Sequence, residues 1–287
     1  MTEQYGDATV AISAEEYTAF RELFYRKTGI YFDDGRRYFV DRRLVACIRD
    51  AGFTSFRGWY DVLRHGHAEL MEAVINAMTV NETWFYREEY QFRALSEHIL
   101  PDVLSRKKAG TPLRIWSIPC ASGEEPYSIA LWLMENWPAL AEVDIEIIAS
   151  DIDTAMLQAA TAGIYSARAV HALPAEVRAR YFAAQDDKGH FVLDQDVRDC
   201  VRFVAVNVTD ANSVRQVGPI DVVFCRNLLI YFDEVSRRLA ADNLFEVLVP
   251  GGYICLGHSE SMSRISPLFR ARRLGEVIVY QKPSGEG

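Results

Sequence analysis

Between Trp116 and Ser128 the chain reads Trp-Ser-Ile-Pro-Cys-Ala-Ser-Gly-Glu-Glu-Pro-Tyr-Ser. Small residues of this kind let a ligand approach the backbone, and Glu124 and Glu125 set two carboxylates beside it. Two carboxylates repel a phosphate and suit a ligand that carries a cationic group. Alternatively, both acids occupy a first helical turn, where carboxylates favour the macrodipole. Further on, the apolar run Ile145, Ile147, Ile148, Ala149 ends in Ser150-Asp151-Ile152-Asp153. An acidic residue at the end of a second strand is where a doubly wound fold holds a ribose diol.

A ligand with a sulfonium, an ammonium and a ribose but no phosphate meets both demands, and S-adenosylmethionine is such a ligand. The elements that must present it follow from the pattern. Leu113 to Trp116 read as a strand and Ile129, Ala130, Leu133 and Met134 as an apolar-periodic helix, with the small-residue loop between them. The spacing predicts strands at 113–117, 145–150, 201–206, 220–225 and 252–257, helices at 126–136, 154–161 and 234–247, and a terminal hairpin at 268–281. Such alternation implies a parallel sheet covered by helices. Residues 163–200 interrupt it as a small β-rich insertion. In it, Asp186-Asp187-Lys188-Gly189-His190 forms the turn between Tyr181/Phe182 and Phe191-Val192-Leu193. Before the sheet, residues 13–79 read as a helical bundle with a capping box at Ser13 and Glu16. Its second helix is expected at 35–51. Residues 80–88 break the helical pattern, and a helix follows from about Tyr90 to Lys107.

The chain of 287 residues is 49% hydrophobic and 12% aromatic, ample for a core, and carries a net charge of −9. That charge argues against a general nucleic-acid binder. No apolar run approaches the roughly 20 residues of a membrane span, and Met1 to Asp7 lack a signal-peptide pattern. The five cysteines are scattered, without a Cys-x-x-Cys or Cys/His cluster, so they read as small buried residues of a reducing compartment. No histidine spacing points to a metal, and none is expected.

Four separated segments now point one way: Asn81-Glu-Thr-Trp-Phe-Tyr-Arg87-Glu, Ala121-Ser-Gly-Glu-Glu-Pro-Tyr-Ser-Ile-Ala130, Ser150-Asp-Ile-Asp153 and Cys225-Arg-Asn-Leu-Leu-Ile-Tyr-Phe-Asp233. Gly251-Gly-Tyr-Ile-Cys-Leu-Gly-His-Ser-Glu260 adds a fifth. In order and length they closely resemble the CheR family of chemotaxis receptor methyltransferases, from about residue 13 to 281. The resemblance implies an α/β fold: an S-adenosylmethionine-dependent methyltransferase doubly wound sheet with a small antiparallel β-subdomain insertion, preceded by an all-α N-terminal bundle. The bounds are 1–80 for the helical receptor-recognition domain, 81–88 for a linker with cofactor contacts, and 89–287 for the methyltransferase domain. The implied reaction is methyl transfer to glutamate side chains of methyl-accepting chemotaxis receptors in the cytoplasm, giving glutamyl methyl esters and S-adenosylhomocysteine.

Carried onto these positions, the resemblance puts cofactor contacts on Asn81, Thr83 and Arg87, on Glu124 or Glu125, on Asp151, and on Asn207-Val208 and Asn227-Leu228. Each Asn also reads as an ordinary turn residue after its strand. Arg87 could orient a carboxylate, either the cofactor's own or the substrate's, and Tyr231 the substrate's, although Tyr231 equally suits a buried aromatic beside Phe232. An ionised glutamate is itself the nucleophile, so no catalytic dyad or triad is needed. Receptor contact is expected from the basic residues Arg36, Arg42, Arg43 and Arg49, in which Arg36/Arg43 and Arg42/Arg49 form two stripes opposite Val40, Leu44 and Ile48. The insertion is expected to serve receptor interaction rather than catalysis, and the strands flanking Gly189 to offer an edge for a receptor's C-terminal tether. Two other readings compete: a scaffold that binds S-adenosylmethionine without turnover, and a methyltransferase for small molecules or nucleic acid. Against the second, Asn227-Leu-Leu-Ile-Tyr lacks the Asn/Asp-Pro-Pro-Tyr pattern.

Overall fold

The computed structural model describes residues 10–108, 110–183 and 189–285. It forms two compact units, Met1–Val80 and Asn81–Gly287.

The first unit is helical: α1 Ala14–Thr28, α2 Arg37–Asp50, α3 Phe56–Arg64 and α4 Ala68–Met78. The Ser13/Glu16 capping box opens α1, and Gly29 closes it at φ 75°. Phe20, Phe24, Val40, Leu44, Ile48, Trp59, Leu63, Val74 and Met78 fill its core. The second helix starts later than the spacing suggests. Asp33 caps a 3-10 turn, Asp34–Arg36, so Arg36 lies outside α2. Arg43 is half-buried, donates to the carbonyls of Ala77 (2.5 Å) and Thr79 (2.9 Å), and lies 3.9 Å from the Phe39 ring centre. The expected Arg36/Arg43 stripe is therefore not formed. Arg42 and Arg49 remain exposed on α2.

In the second unit, α5 (Tyr90–Ala94) and α6 (Leu100–Arg106) are joined by a π-helical turn, Leu95–Ile99. Five strands are parallel: β1 Leu113–Ser117, β2 Ile145–Asp151, β6 Val201–Ala205, β7 Ile220–Cys225 and β8 Leu248–Leu256. The hairpin β9 (Arg270–Leu274) and β10 (Val277–Gln281) adds antiparallel to β8, giving the order β6-β2-β1-β7-β8-β10-β9. All six residues of β7 are buried, as a central parallel strand requires. Helices α7 (Glu124–Asn136), α8 (Thr154–Ala162), α11 (Ala211–Arg215) and α12 (Glu234–Val247) complete the doubly wound layers. The chain reverses direction across the sheet between β1 and β7, which opens a crevice at their carboxyl ends.

The insertion holds β3 (Ile164–Ser166), α9 (Ala175–Tyr181), β4 (Phe182–Ala183), β5 (His190–Leu193) and α10 (Gln195–Asp199). Its antiparallel sheet runs β3-β5-β4. The strand after Gly189 is thus central, with both edges paired, and the outer edges belong to β3 and β4. Residues 184–188, most of the expected turn, lie outside the described residues. Nor does the insertion stand apart from the sheet. The Tyr165 hydroxyl donates to the Ser122 carbonyl (2.9 Å), and the Phe85 amide donates to the Ala169 carbonyl (2.9 Å). Phe85 also packs edge-on against Tyr165 and Phe182. The insertion thus makes direct contact with the loop after β1 and with the linker. Cys120, Cys225 and Cys255 are buried thiols, whereas Cys200 is exposed.

Candidate functional site

Four segments at the carboxyl ends of the strands, and the linker before α5, carry the expected residues. The loop after β1 turns on Gly123, at φ 94°. A Cβ there would lie 2.9 Å from Ala160 Cβ and 3.1 Å from the Tyr165 hydroxyl, so both conformation and packing require glycine. The two acids that follow it have separate fates. Glu125 accepts from the Ser117 hydroxyl (2.7 Å) and from Arg226 Nη1 (2.8 Å). Burial raises its pKa against the pull of Arg226. Glu124 is 4% exposed and accepts from the Ser122 hydroxyl (2.7 Å). Among the described residues it has no ion-pair partner, and burial raises its pKa as well.

Asp151 ends β2 at 3% exposure. Its carboxylate takes the amides of Ala121 (2.9 Å) and Asp153 (2.9 Å), so it ties β2 to the loop after β1. Burial pushes its pKa up to about 6 despite those amides. A carboxylate has about four lone-pair sites, so two amides leave room for two further donors. Asp153 caps α8 through Met156 N (3.1 Å) and accepts from Asn81 Nδ2 (2.9 Å). Asn81 is thereby directed to the second acid of the Asp-Ile-Asp segment. Thr83 lies half-buried in the same linker. Arg87 folds back on that linker, its guanidinium 4.6 Å from the Trp84 ring centre and Nη1 2.8 Å from the Glu82 carbonyl.

After β6, Asn207 Oδ1 accepts from the amide and hydroxyl of Thr209 (3.0 and 2.8 Å), which is its turn-forming role. Val208 is buried, with its carbonyl held by Asn243 (2.9 Å). After β7, Asn227 adopts φ 59° and its amide donates to Glu260 (2.7 Å). Leu228 is half-buried, and Tyr231, also half-buried, ends a 3-10 turn.

Three residues of the site carry no role in the sequence reading. Glu260 accepts amides from Asn227, Leu229 (2.8 Å) and Gly257 (2.9 Å), clamping the loop after β7. Arg226 bridges Glu125, the Arg87 carbonyl (2.7 Å) and Glu88 (3.1 Å). Glu88 also meets His258 Nδ1 at 2.7 Å. Burial works to raise the Glu88 pKa, but Arg226 and His258 outweigh it and leave the pKa lowered. The available signal was a single Arg directly after the apolar strand 220–225: a charge about to be buried needs partners. Among the described residues, four non-glycine residues have left-handed backbone, Tyr86, Glu88, Ala121 and Asn227, and all lie in these segments. Such clustering is characteristic of functional sites.

The donor set fits a cationic ligand that bears a ribose. Glu124 offers a carboxylate with no paired cation, Asp151 keeps lone pairs at the end of β2, and both stand at the switch point of a doubly wound sheet. Fold and site together define a nucleoside-cofactor-binding α/β protein of the methyltransferase kind. Comparison with known proteins makes this specific. Residues 81–277 match the family described as CheR methyltransferase, SAM binding domain, and residues 15–79 match CheR methyltransferase, all-alpha domain. The chain belongs to the CheR methyltransferase family. It is 50% identical over 275 residues to chemotaxis protein methyltransferase 2 of Vibrio cholerae, covering 96% of this chain and 95% of that protein. Chemotaxis protein methyltransferase 1 of Pseudomonas aeruginosa is 33% identical, covering 93% and 97%. The chemotaxis protein methyltransferase of Escherichia coli K12 is 33% identical, covering 92% and 90%. The protein is thus an S-adenosylmethionine-dependent methyltransferase of chemotaxis, and receptor glutamates are the substrates of its family.

Proposed function

We propose that the chain esterifies glutamate carboxylates on the acidic cytoplasmic helices of chemoreceptors, with the cofactor held across the β1/β7 crevice. The observation that carries this reading is the pairing of a buried, cation-free Glu124 with a buried Asp151 at that crevice. Glu124 rather than Glu125 faces the cofactor's cationic end, because Arg226 and Ser117 already occupy Glu125. Asp151 takes the ribose hydroxyls. Asn227 and Leu228, with Asn207 and Val208, border the adenine side. Their side-chain and carbonyl bonds make 207–208 a shaped wall more than a set of free polar contacts.

Bound there, the cofactor supplies an electrophilic methyl group on sulfur. The protein's task is alignment and partial exclusion of water, since the substrate carboxylate is already ionised at neutral pH. Positioning of this kind supplies about 7–11 kcal/mol in favourable cases. Arg87 and Tyr231 are assigned to orient the carboxylate, Arg87 by swinging its planar fork of donors off Trp84. Arg42 and Arg49, with Arg36 at the turn before α2, form the recognition face for the acidic receptor helix. Arg43 is left to hold the end of α4.

The receptor tether, where a receptor has one, is assigned to a free edge of β3 or β4. Among the described residues no helix is long and apolar enough to cross a membrane. Transfer of labelled methyl to receptor-bearing membranes, with base-labile release of methanol, tests the whole reading. Label in a base-stable product, or cofactor binding without transfer, would replace it with one of the competing readings.

A further inference from the structure

Arg226 is buried, its side chain 3% exposed, at a point where two carboxylates converge. Glu125 lies in the first turn of α7, next to the cofactor loop, and Glu88 belongs to the linker; each side chain is 12% exposed. The two acids repel: Glu88 raises the proton affinity of Glu125, and burial raises it further. One Nη of Arg226 meets Glu125 at 2.8 Å, and the other meets Glu88 at 3.1 Å and the Arg87 carbonyl at 2.7 Å. A planar guanidinium can reach both sides at once, whereas an ammonium is a single point charge. The next residue, Asn227, begins the loop after β7 in the left-handed region, so the same peptide joins three segments of the site.

We propose that Arg226 is a positioning residue, which converts the Glu88–Glu125 repulsion into a bridge. That bridge holds residues 81–88 against the cofactor loop with Arg87 presented to the ligand. This rests on the assignment of the linker to cofactor binding.

Gln91 Nε2 also donates to Glu88 (2.7 Å), a bond from a neutral amide, and further ties hold the linker at other points. Asn81 bonds Asp153, Phe85 N bonds the Ala169 carbonyl, and Tyr86 N bonds the Ser128 hydroxyl at 3.0 Å. None of these holds the carbonyl of Arg87 or brings a positive charge to Glu88. His258 also meets Glu88, but its side chain is 67% exposed, so any charge it carries when protonated is screened by solvent.

The test uses the full chain with S-adenosylhomocysteine as probe. Arg226→Gln should weaken binding about ten-fold or more. It should also raise the Michaelis constant for S-adenosylmethionine more than it lowers kcat. Hydrogen exchange at 82–88 in the ligand-free protein should quicken, while exchange in β7 and β8 stays protected. Arg226→Lys should fall between wild type and Gln. Adding Glu88→Gln to Arg226→Gln removes the repulsion and should restore part of the lost affinity and linker protection. A merely structural role would not show that rescue. If Arg226→Gln fails to fold, Glu88→Gln alone keeps the test. It should quicken exchange at 82–88 and weaken binding about three-fold or more, since one charge-assisted bond is replaced by a neutral one. Unchanged linker exchange in a folded Arg226 or Glu88 variant overturns the inference. Unchanged affinity on Arg87→Ala would instead overturn the underlying assignment of the linker to the cofactor.

Discussion

Moving from pH 7 to pH 5 should weaken S-adenosylhomocysteine binding about ten-fold, and Asp151→Asn should flatten that dependence. In the ligand-free protein, burial lifts the Asp151 pKa to about 6. Two ribose hydroxyls donating to the carboxylate favour its ionised form, so the ligand must displace a proton wherever Asp151 is protonated. With a free-state pKa of about 6, the ionised fraction is about 0.9 at pH 7 and about 0.1 at pH 5, a ratio near ten. The sign for stability runs the other way. The folded pKa lies above the unfolded value, so the contribution is fully present below about pH 3.9 and is lost as pH rises through about 6. From this group alone, the ligand-free protein loses about 1 kcal/mol between pH 5 and 7, just where the ligand gains. Calorimetry in buffers of different ionisation heat counts the proton released. Asp151→Asn keeps one acceptor oxygen and faces the other amide with a donor, which costs about 1–3 kcal/mol, so its melting temperature must be followed in parallel. Affinity that is level from pH 5 to 7 in wild type refutes the reasoning. A slope that persists in the Asn variant transfers the proton to another buried acid such as Glu124.

Reversing Arg42 and Arg49 to Glu should raise the Michaelis constant for receptor in a salt-sensitive way and leave S-adenosylhomocysteine affinity unchanged; steady-state kinetics across a salt series checks this. Arg43→Ala should behave differently, lowering the melting temperature through loss of about 1.5–3 kcal/mol of charge-assisted bonds, with no specific effect on receptor KM. Glu260→Ala strips three amides of their acceptor and should weaken the cofactor by loosening residues 227–231, read as faster hydrogen exchange there. Titration with receptor C-terminal peptides should show binding that is lost when proline replaces Ile164, which is exposed on β3 and whose amide faces away from β5; no binding to any peptide would leave recognition to the basic face of α2.

Strong periodic patterns made most of the fold legible. The apolar 220–225, interrupted only by Asp221, the apolar runs at 113–117 and 145–150 and the capping box at Ser13 each come from local physics, and each element sits where expected. The strand at 164–166 escaped because three residues carry too little pattern. The start of α2 slipped because Asp33 caps a 3-10 turn first. Of the site, the residues were legible but not their partners. Asp151 and Asp153 look equivalent in sequence, yet one ties two loops and the other caps a helix and receives Asn81. Glu124 and Glu125 diverge only because Arg226, a hundred residues away, reaches one of them. Long-range partners of this kind depend on the sheet order, which no window of sequence contains.

The left-handed backbone at Tyr86, Glu88, Ala121 and Asn227 also limits the chain's mutational neighbourhood. For most side chains this conformation costs roughly 1–2 kcal/mol, least for Gly, Asn and Asp and most for β-branched residues. A lineage drifting at positions 88 and 121 can therefore pass through glycine or asparagine, but valine, isoleucine and threonine are closed to it even if methyl transfer is never tested. Asn227 already occupies one of the few open states. The rim of the cofactor crevice would then look invariant for two unrelated reasons, chemistry at some positions and backbone handedness at others. Only at the second kind would glycine be an acceptable exchange.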